Sequence, residues 1–156
     1  MSYLAPAFCL HDQEKNQISL DQLKGKWVVL YTYPKDLTPG CTKEAIDFTA
    51  MREEFEKLGA VILGISPDSV DSHCRFVTKK KLRISLLSDP TKEILRAYGA
   101  YGTKKNFGIE YEGVIRRTFI INPKGEVVKT WKSVKVLGHV KTVLASLTKL
   151  VSDANV

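Results

Sequence analysis

The chain has few cysteines and pairs none of them by motif. There are three, Cys9, Cys41 and Cys74, an odd count with no Cys-x-x-Cys spacing. A disulfide framework is therefore excluded as the basis of the fold, and one reactive thiol is the simpler reading. Long apolar runs are missing too: none reaches the ~20 residues that a membrane-spanning helix needs. The start, Met1-Ser2-Tyr3-Leu4-Ala5-Pro6, is neither basic nor extendedly apolar. No signal peptide and no membrane partner are expected, and the location is read as cytoplasmic. His11, His73 and His139 are scattered and form no ligand-spaced set, so no metal is expected. No repeat, low-complexity tract or linker divides the 156 residues, which read as a single domain, 1–156, large enough for a substantial core.

Charge is present in excess of one sign. The net charge is +7, from 24 basic and 17 acidic residues. Nucleic-acid binding has to be weighed at such a balance. The lysines are spread along the chain, and the densest run, Lys79-Lys80-Lys81, falls where a predicted helix ends. Cations suit that end of the helix dipole, so a solvated basic face is the better reading and no nucleic acid is expected.

The patterning alternates strands and helices. Phe8-Cys9-Leu10 and Gln17-Ile18-Ser19-Leu20 read as a hairpin-like entry, and Asp21 to Lys24 as one helical turn. A strand over 26–33 precedes a Pro/Gly loop and a helix to about Leu58. The apolar run Val61-Ile62-Leu63-Gly64-Ile65-Ser66 suits a buried central strand. A helix follows from Pro67 to about Lys81, then a strand over Ile84 to Leu87. Ser88-Asp89-Pro90 predicts a helix start with Asp89 as N-cap, ending at Gly99. Lys104 to Glu112 reads as polar and irregular. Strands over Val114 to Asn122 and Glu126 to Trp131 are joined by Asn122-Pro123-Lys124-Gly125, and a last helix begins near His139. The pattern predicts an α/β sandwich with flanking helices. The final strand–turn–strand makes its central sheet mixed, because a short turn joins only antiparallel strands.

Cys41 falls where a strand ends, a loop turns and a helix begins. Unpaired amides and the positive helix end favour a thiolate there. Around it, Pro34 ends the strand and shapes the loop. Thr38 offers a hydroxyl to the sulfur or a bound oxygen, or serves as an N-cap. Gly40 permits a tight turn, and Glu44, one helical turn on, is placed to reach the loop or orient a cation. Arg116 and Arg117 are the candidate cations. In a strand they point to opposite faces, so at most one serves the site.

Taken together, the chain resembles the peroxiredoxins of the Q type, also called bacterioferritin comigratory proteins. The resemblance rests on Tyr31-x-Tyr33-Pro34-Lys35-Asp36, Pro34-x-x-x-Thr38-x-x-Cys41 and Glu44. It extends to Gly64-Ile65-Ser66-Pro67-Asp68, Leu87-Ser88-Asp89 and Arg116-x-Thr118-Phe119-Ile120-Ile121-Asn122. It implies a thioredoxin-like fold and thiol-dependent reduction of hydrogen peroxide and organic hydroperoxides, serving antioxidant defence. It assigns Cys41 as the peroxidatic cysteine, Pro34 and Thr38 as the residues that shield it and position the peroxide, and Arg116 as the cation that stabilises the thiolate. No metal or organic cofactor is implied.

The chain departs from the family at informative places. Many members carry a resolving cysteine five residues after the peroxidatic one, where this chain has Ile46. Ala7 and Cys9 stand where the family commonly has Asp and a polar residue. Cys74 is the remaining resolving candidate, although the position usually used lies nearer Val77. Its stripe with Val70 and Val77 equally fits a buried, inert thiol. A one-cysteine cycle is the expected mode, with thioredoxin, glutaredoxin or a small thiol as reductant and the chain a monomer or weak dimer. Rival readings are a thiol–disulfide oxidoreductase, which Thr38 and Glu44 disfavour by failing to complete a Cys-x-x-Cys, a redox sensor with the same thiol, and a basic binding module.

Overall fold

A computed structural model describes residues 2–155. Its ten strands are β1 (Tyr3–Leu4), β2 (Cys9–His11), β3 (Gln17–Ser19), β4 (Trp27–Thr32), β5 (Ala60–Ser66), β6 (Ser85–Ser88), β7 (Tyr101–Asn106), β8 (Ile109–Val114), β9 (Thr118–Ile121) and β10 (Glu126–Trp131). Its helices are α1 (Pro39–Ala50), α2 (Arg52–Lys57), α3 (Val70–Lys80), α4 (Glu93–Ala97) and α5 (His139–Ala154), with a 3-10 turn over Leu20–Leu23.

Eight strands form one sheet in the order β1-β10-β9-β4-β5-β6-β2-β3. β4, β5 and β6 run parallel, and β9 pairs antiparallel with both β4 and β10, which gives the expected mixed sheet. β4 is buried along its whole length because both faces are covered. Its odd residues, Trp27, Val29 and Tyr31, meet Phe48, Phe55, Phe76, Val143 and Leu147 from α1, α2, α3 and α5. Its even residues, Val28 and Leu30, meet Phe8, Leu95, Tyr98 and Phe119 on the other side. Truncating Phe48 or Phe55 to alanine would cost about 3–5 kcal/mol at such fully buried positions. Gly64 is required where β5 passes Tyr31: a Cβ there would lie 2.9 Å from Tyr31 Cζ.

The structure differs from the sequence pattern in several places. The helix after Cys41 breaks at Met51, whose N–H is shared among the carbonyls of Asp47, Phe48 and Thr49. Phe48 and Phe55 nevertheless stay in contact in the core. Asp89 does not cap the next helix. α4 starts after Lys92, in the left-handed region, and the buried Asp89 carboxylate accepts instead from the Leu95 N–H at 2.9 Å. The stretch 104–112 is a regular ribbon: β7 and β8 pair around a turn in which Phe107 and Gly108 both have positive φ. Lys104 lies over the Tyr111 ring, and Lys92 and Arg96 over Tyr101, which explains how so charged a ribbon holds its place. The expected strand from Val114 is interrupted over 115–117, because β8 ends with the ribbon and β9 begins only where it meets β4. Among the described residues, no helix is long and apolar enough to cross a membrane.

Candidate active site

The loop from β4 to α1 carries the thiol into the protein. Pro34, half-buried, follows the last sheet contact, the Tyr33 N–H to the Ile65 carbonyl at 3.0 Å. Leu37 then takes a left-handed conformation, φ 64°, which a branched side chain adopts only under constraint. Thr38 stands at the N-cap position, but its side chain does not cap. Its Oγ1 donates to the Lys35 carbonyl at 2.8 Å. Pro39 opens α1, and the first main-chain bond of the helix runs from Thr42 N–H to the Thr38 carbonyl. The Gly40 and Cys41 amides precede that bond and are left for other acceptors.

Cys41 is 1% exposed, in a wall of Tyr31, Tyr33 and Phe48. Arg116, from the break before β9, reaches it: Nη2 lies 2.9 Å from Cys41 Sγ, and Nη1 donates to Glu44 Oε1 at 3.0 Å. Gly40 has a physical reason here, since a Cβ on it would stand 3.0 Å from Arg116 Nη2. Arg117 points the other way, to the Gly99 turn. The pair diverges because Thr32 holds the broken strand on both sides, donating from Oγ1 to the Ile115 carbonyl and accepting the Arg117 N–H.

Glu44 is almost fully buried, and burial pushes its carboxyl from 4.5 up to about 7 against the opposing charge and hydrogen bond of Arg116. Its Oε2 and the Tyr31 hydroxyl have no partner among the described residues. Burial first, then the neighbouring Glu44 charge, raises the Tyr31 hydroxyl well above its ordinary range, so it stays neutral.

The structure brings Gly40, Glu44 and Arg116 to Cys41, sets Pro34 and Thr38 in the loop that leads into its helix, and leaves Cys74 on another helix. Cys74 is exposed on α3, whose buried side carries His73 and Phe76. The inert, buried thiol allowed by the Val70–Val77 stripe is therefore wrong; the inward stripe runs through His73 and Phe76. Cys9 is exposed on β2.

Sequence reasoning also missed a polar group under the loop. His73, read as isolated, meets Asp36 and Asp68 with ligating atoms within 4.8 Å of one another. These atoms bond to each other and to neighbouring hydroxyls and amides, with His73 Nδ1 2.7 Å from Asp36 Oδ2 and Asp68 Oδ2 accepting the Asp36 N–H at 2.8 Å. The signal was available in Asp36 and Asp68, both inside the recognised segments, and in His73, three residues before the core Phe76.

A parallel-centred sheet with a thiol sealed at the start of a helix and bonded to an arginine defines a cysteine-based redox protein of the thioredoxin-like class. The model of the AhpC/TSA family matches residues 1–130. A putative peroxiredoxin bcp of Helicobacter pylori is 49% identical over 144 residues, 92% of this chain and 95% of that protein. Peroxiredoxin Bcp of Bacillus subtilis is 45% identical, over 92% and 91%. Among solved structures, the bacterioferritin comigratory protein of Xanthomonas campestris, studied for alkyl peroxide reduction, superposes with a TM-score of 0.88. It is 42% identical, with 92% of each chain covered. The chain belongs to the AhpC/TSA family and, within it, to the peroxiredoxin Bcp group. It is a thiol-dependent peroxidase.

Proposed function

We propose that Cys41 is the peroxidatic thiol and that hydrogen peroxide and organic hydroperoxides are its substrates. The observation that carries this is the 2.9 Å contact of Arg116 Nη2 with a buried Sγ. The thiolate attacks the terminal oxygen of the hydroperoxide, and the O–O bond breaks. The leaving alkoxide or hydroxide takes a proton and departs as alcohol or water. Sulfur is oxidised by two electrons to the sulfenic acid, and the peroxide is reduced by two. Arg116 and the Gly40 and Cys41 amides face the charge that develops, and Glu44 steers the guanidinium. The Thr38 proton is committed to Lys35, which leaves its oxygen to accept the O–H of a hydroperoxide. Pro34 shields the loop side.

An external thiol returns the sulfur in this reading, because position 46 is Ile46. The reductant is a thioredoxin, a glutaredoxin or a small thiol, and the chain works as one unit over 1–156, a monomer or weak dimer. Three free thiols, two of them exposed, suit a reducing cytoplasm. The exposure of Cys74 favours a second reading, in which that thiol captures the sulfenic acid once the loop has opened. Mass spectrometry after one equivalent of peroxide separates the two. Cys41 sulfenic acid with free Cys74 supports the first, and a high-yield Cys41–Cys74 disulfide overturns it.

A further inference from the structure

Asp36 lies five residues before Cys41, buried, with both carboxylate oxygens occupied. Tyr33 Oη donates to Oδ1 at 2.6 Å, and Ser72 Oγ donates to Oδ2 at 2.8 Å. His73 Nδ1 stands 2.7 Å from the same Oδ2, and its Nε2 is 3.0 Å from the Leu87 carbonyl. A carbonyl only accepts, so Nε2 carries a proton. Ring and carboxyl share one proton across the 2.7 Å contact, and the pair is sealed from water. Asp68 adds a second tie, its Oδ2 accepting the Asp36 N–H at 2.8 Å and the Ser66 hydroxyl at 2.7 Å. These bonds run between the cysteine loop and the end of β5 with the first turn of α3.

We propose that this buried set is a latch that holds the Cys41 loop closed, and that Asp36 and His73 are positioning residues dividing the enzyme between two states. The inference rests on Cys41 being the thiol that peroxide oxidises. In the closed state the sulfur touches Arg116 and is 1% exposed, so a small peroxide reaches it and a bulky thiol does not. Return of the sulfur therefore needs the loop to lift. In the open state a first thiol condenses with the sulfenic acid and releases water, leaving a mixed disulfide. A second thiol attacks that disulfide, frees the Cys41 thiol and leaves as the oxidised reductant. Apart from the latch, the side-chain ties of the loop among the described residues are the local Thr38–Lys35 bond and the Arg116 bond to Cys41, so the grip of Asp36 is a main term in how often it opens.

The latch makes the two half-reactions move in opposite directions, which damage to the fold alone would not do. Tyr33→Phe and Ser72→Ala each remove one hydrogen bond to the Asp36 carboxylate and keep the rest of the packing. Asp36→Asn and His73→Gln break the Asp36–His73 bond itself. In stopped-flow experiments, each variant is oxidised by hydrogen peroxide, and its sulfenic acid is then reduced with excess dithiothreitol. Tyr33→Phe is expected to raise the ratio of the reduction rate to the oxidation rate about three- to tenfold over wild type, with most of the change in faster reaction of the sulfenic acid with dithiothreitol and oxidation slowed only by the closed fraction lost. Sulfinic acid formed under excess peroxide should fall with the same ranking, because the closed state is the one in which a second peroxide meets the sulfenic acid. Oxidation and reduction slowing in parallel, or reduction indifferent to all four substitutions, overturns the latch. Absence of Cys41 oxidation in the wild-type protein would instead overturn the reading it rests on.

Discussion

Replacing Arg116 by alanine removes two bonds at once, the donation to Cys41 Sγ at 2.9 Å and the one to Glu44 Oε1 at 3.0 Å. Loss of a preorganised donor aimed at developing charge lowers a rate by about 10²–10³. That loss is expected in the second-order rate of Cys41 oxidation by hydrogen peroxide. Glu44 responds to the same change. Its carboxyl sits at about 7 while Arg116 opposes the effect of burial. Without the arginine it moves further up and is neutral at neutral pH. Adding Glu44→Gln to Arg116→Ala should therefore change the rate by less than about twofold, whereas Glu44→Gln alone releases Arg116 Nη1 and should cost about tenfold. The four proteins make a double-mutant cycle with strong coupling. Arg117→Ala is the control, because that side chain goes to the Gly99 turn. Quenched-flow oxidation, read as intact mass, gives each rate. An Arg117→Ala loss equal to that of Arg116→Ala, or an additive cycle, would refute the assignment of the guanidinium to this sulfur.

Cys41→Ser should abolish peroxide consumption with any thiol reductant, and retained turnover in a ferrous-oxidation peroxide assay would remove the thiol from the reaction. Gly40→Ala should slow oxidation by about tenfold without unfolding the protein, since its Cβ would press on Arg116 Nη2 from 3.0 Å; an unchanged rate would mean that the guanidinium tolerates displacement. Glu44 also predicts a pH dependence of stability. Its folded carboxyl is raised, so the native state holds the proton more tightly than the unfolded chain, and stability falls as pH rises from 4.5 to about 7. Glu44→Gln removes an ionisation cost on the order of 3 kcal/mol that is absent below that window and complete above it. Urea unfolding should therefore favour the variant more at pH 8 than at pH 5, and an equal difference at both would contradict it.

The sequence made the site legible because its chemistry is local. Pro34 to Glu44 is one continuous stretch, and the strand-to-helix transition follows from composition. Arg116 lies far along the chain, and its approach depends on an interruption that the strand-like stretch from Val114 to Asn122 hid. Nothing local announces the interruption: Thr32, on the neighbouring strand, spends its hydroxyl on the Ile115 carbonyl and makes the break. The β7–β8 ribbon was equally obscure, since lysines and glutamates dominate it and the rings that order it, Tyr101 and Tyr111, work through cation–π contacts. The exposure of Cys74 was misjudged for a related reason. Val70, Cys74 and Val77 form a plausible stripe, but α3 is pinned by the polar His73, and the side chain that a hydrophobicity pattern discounts sets the helix's rotation.

That rotation bears on the return half of the cycle. Cys74 follows the buried His73 and faces solvent, while Cys41 faces the core. Position 46 fares no better. Five residues along a helix turn a side chain by about 140° away from its start, and Ile46 is indeed 43% exposed on the outer side of α1. A cysteine at 46, the thiol at 74 and an external thiol all meet the same obstacle, because each stands outside a wall that keeps Cys41 beside Arg116. The geometry that speeds attack on peroxide is the geometry that delays every thiol. Whichever thiol serves, the loop between Tyr33 and Cys41 must move first, so the bonds that hold that loop govern the return step whatever the reductant.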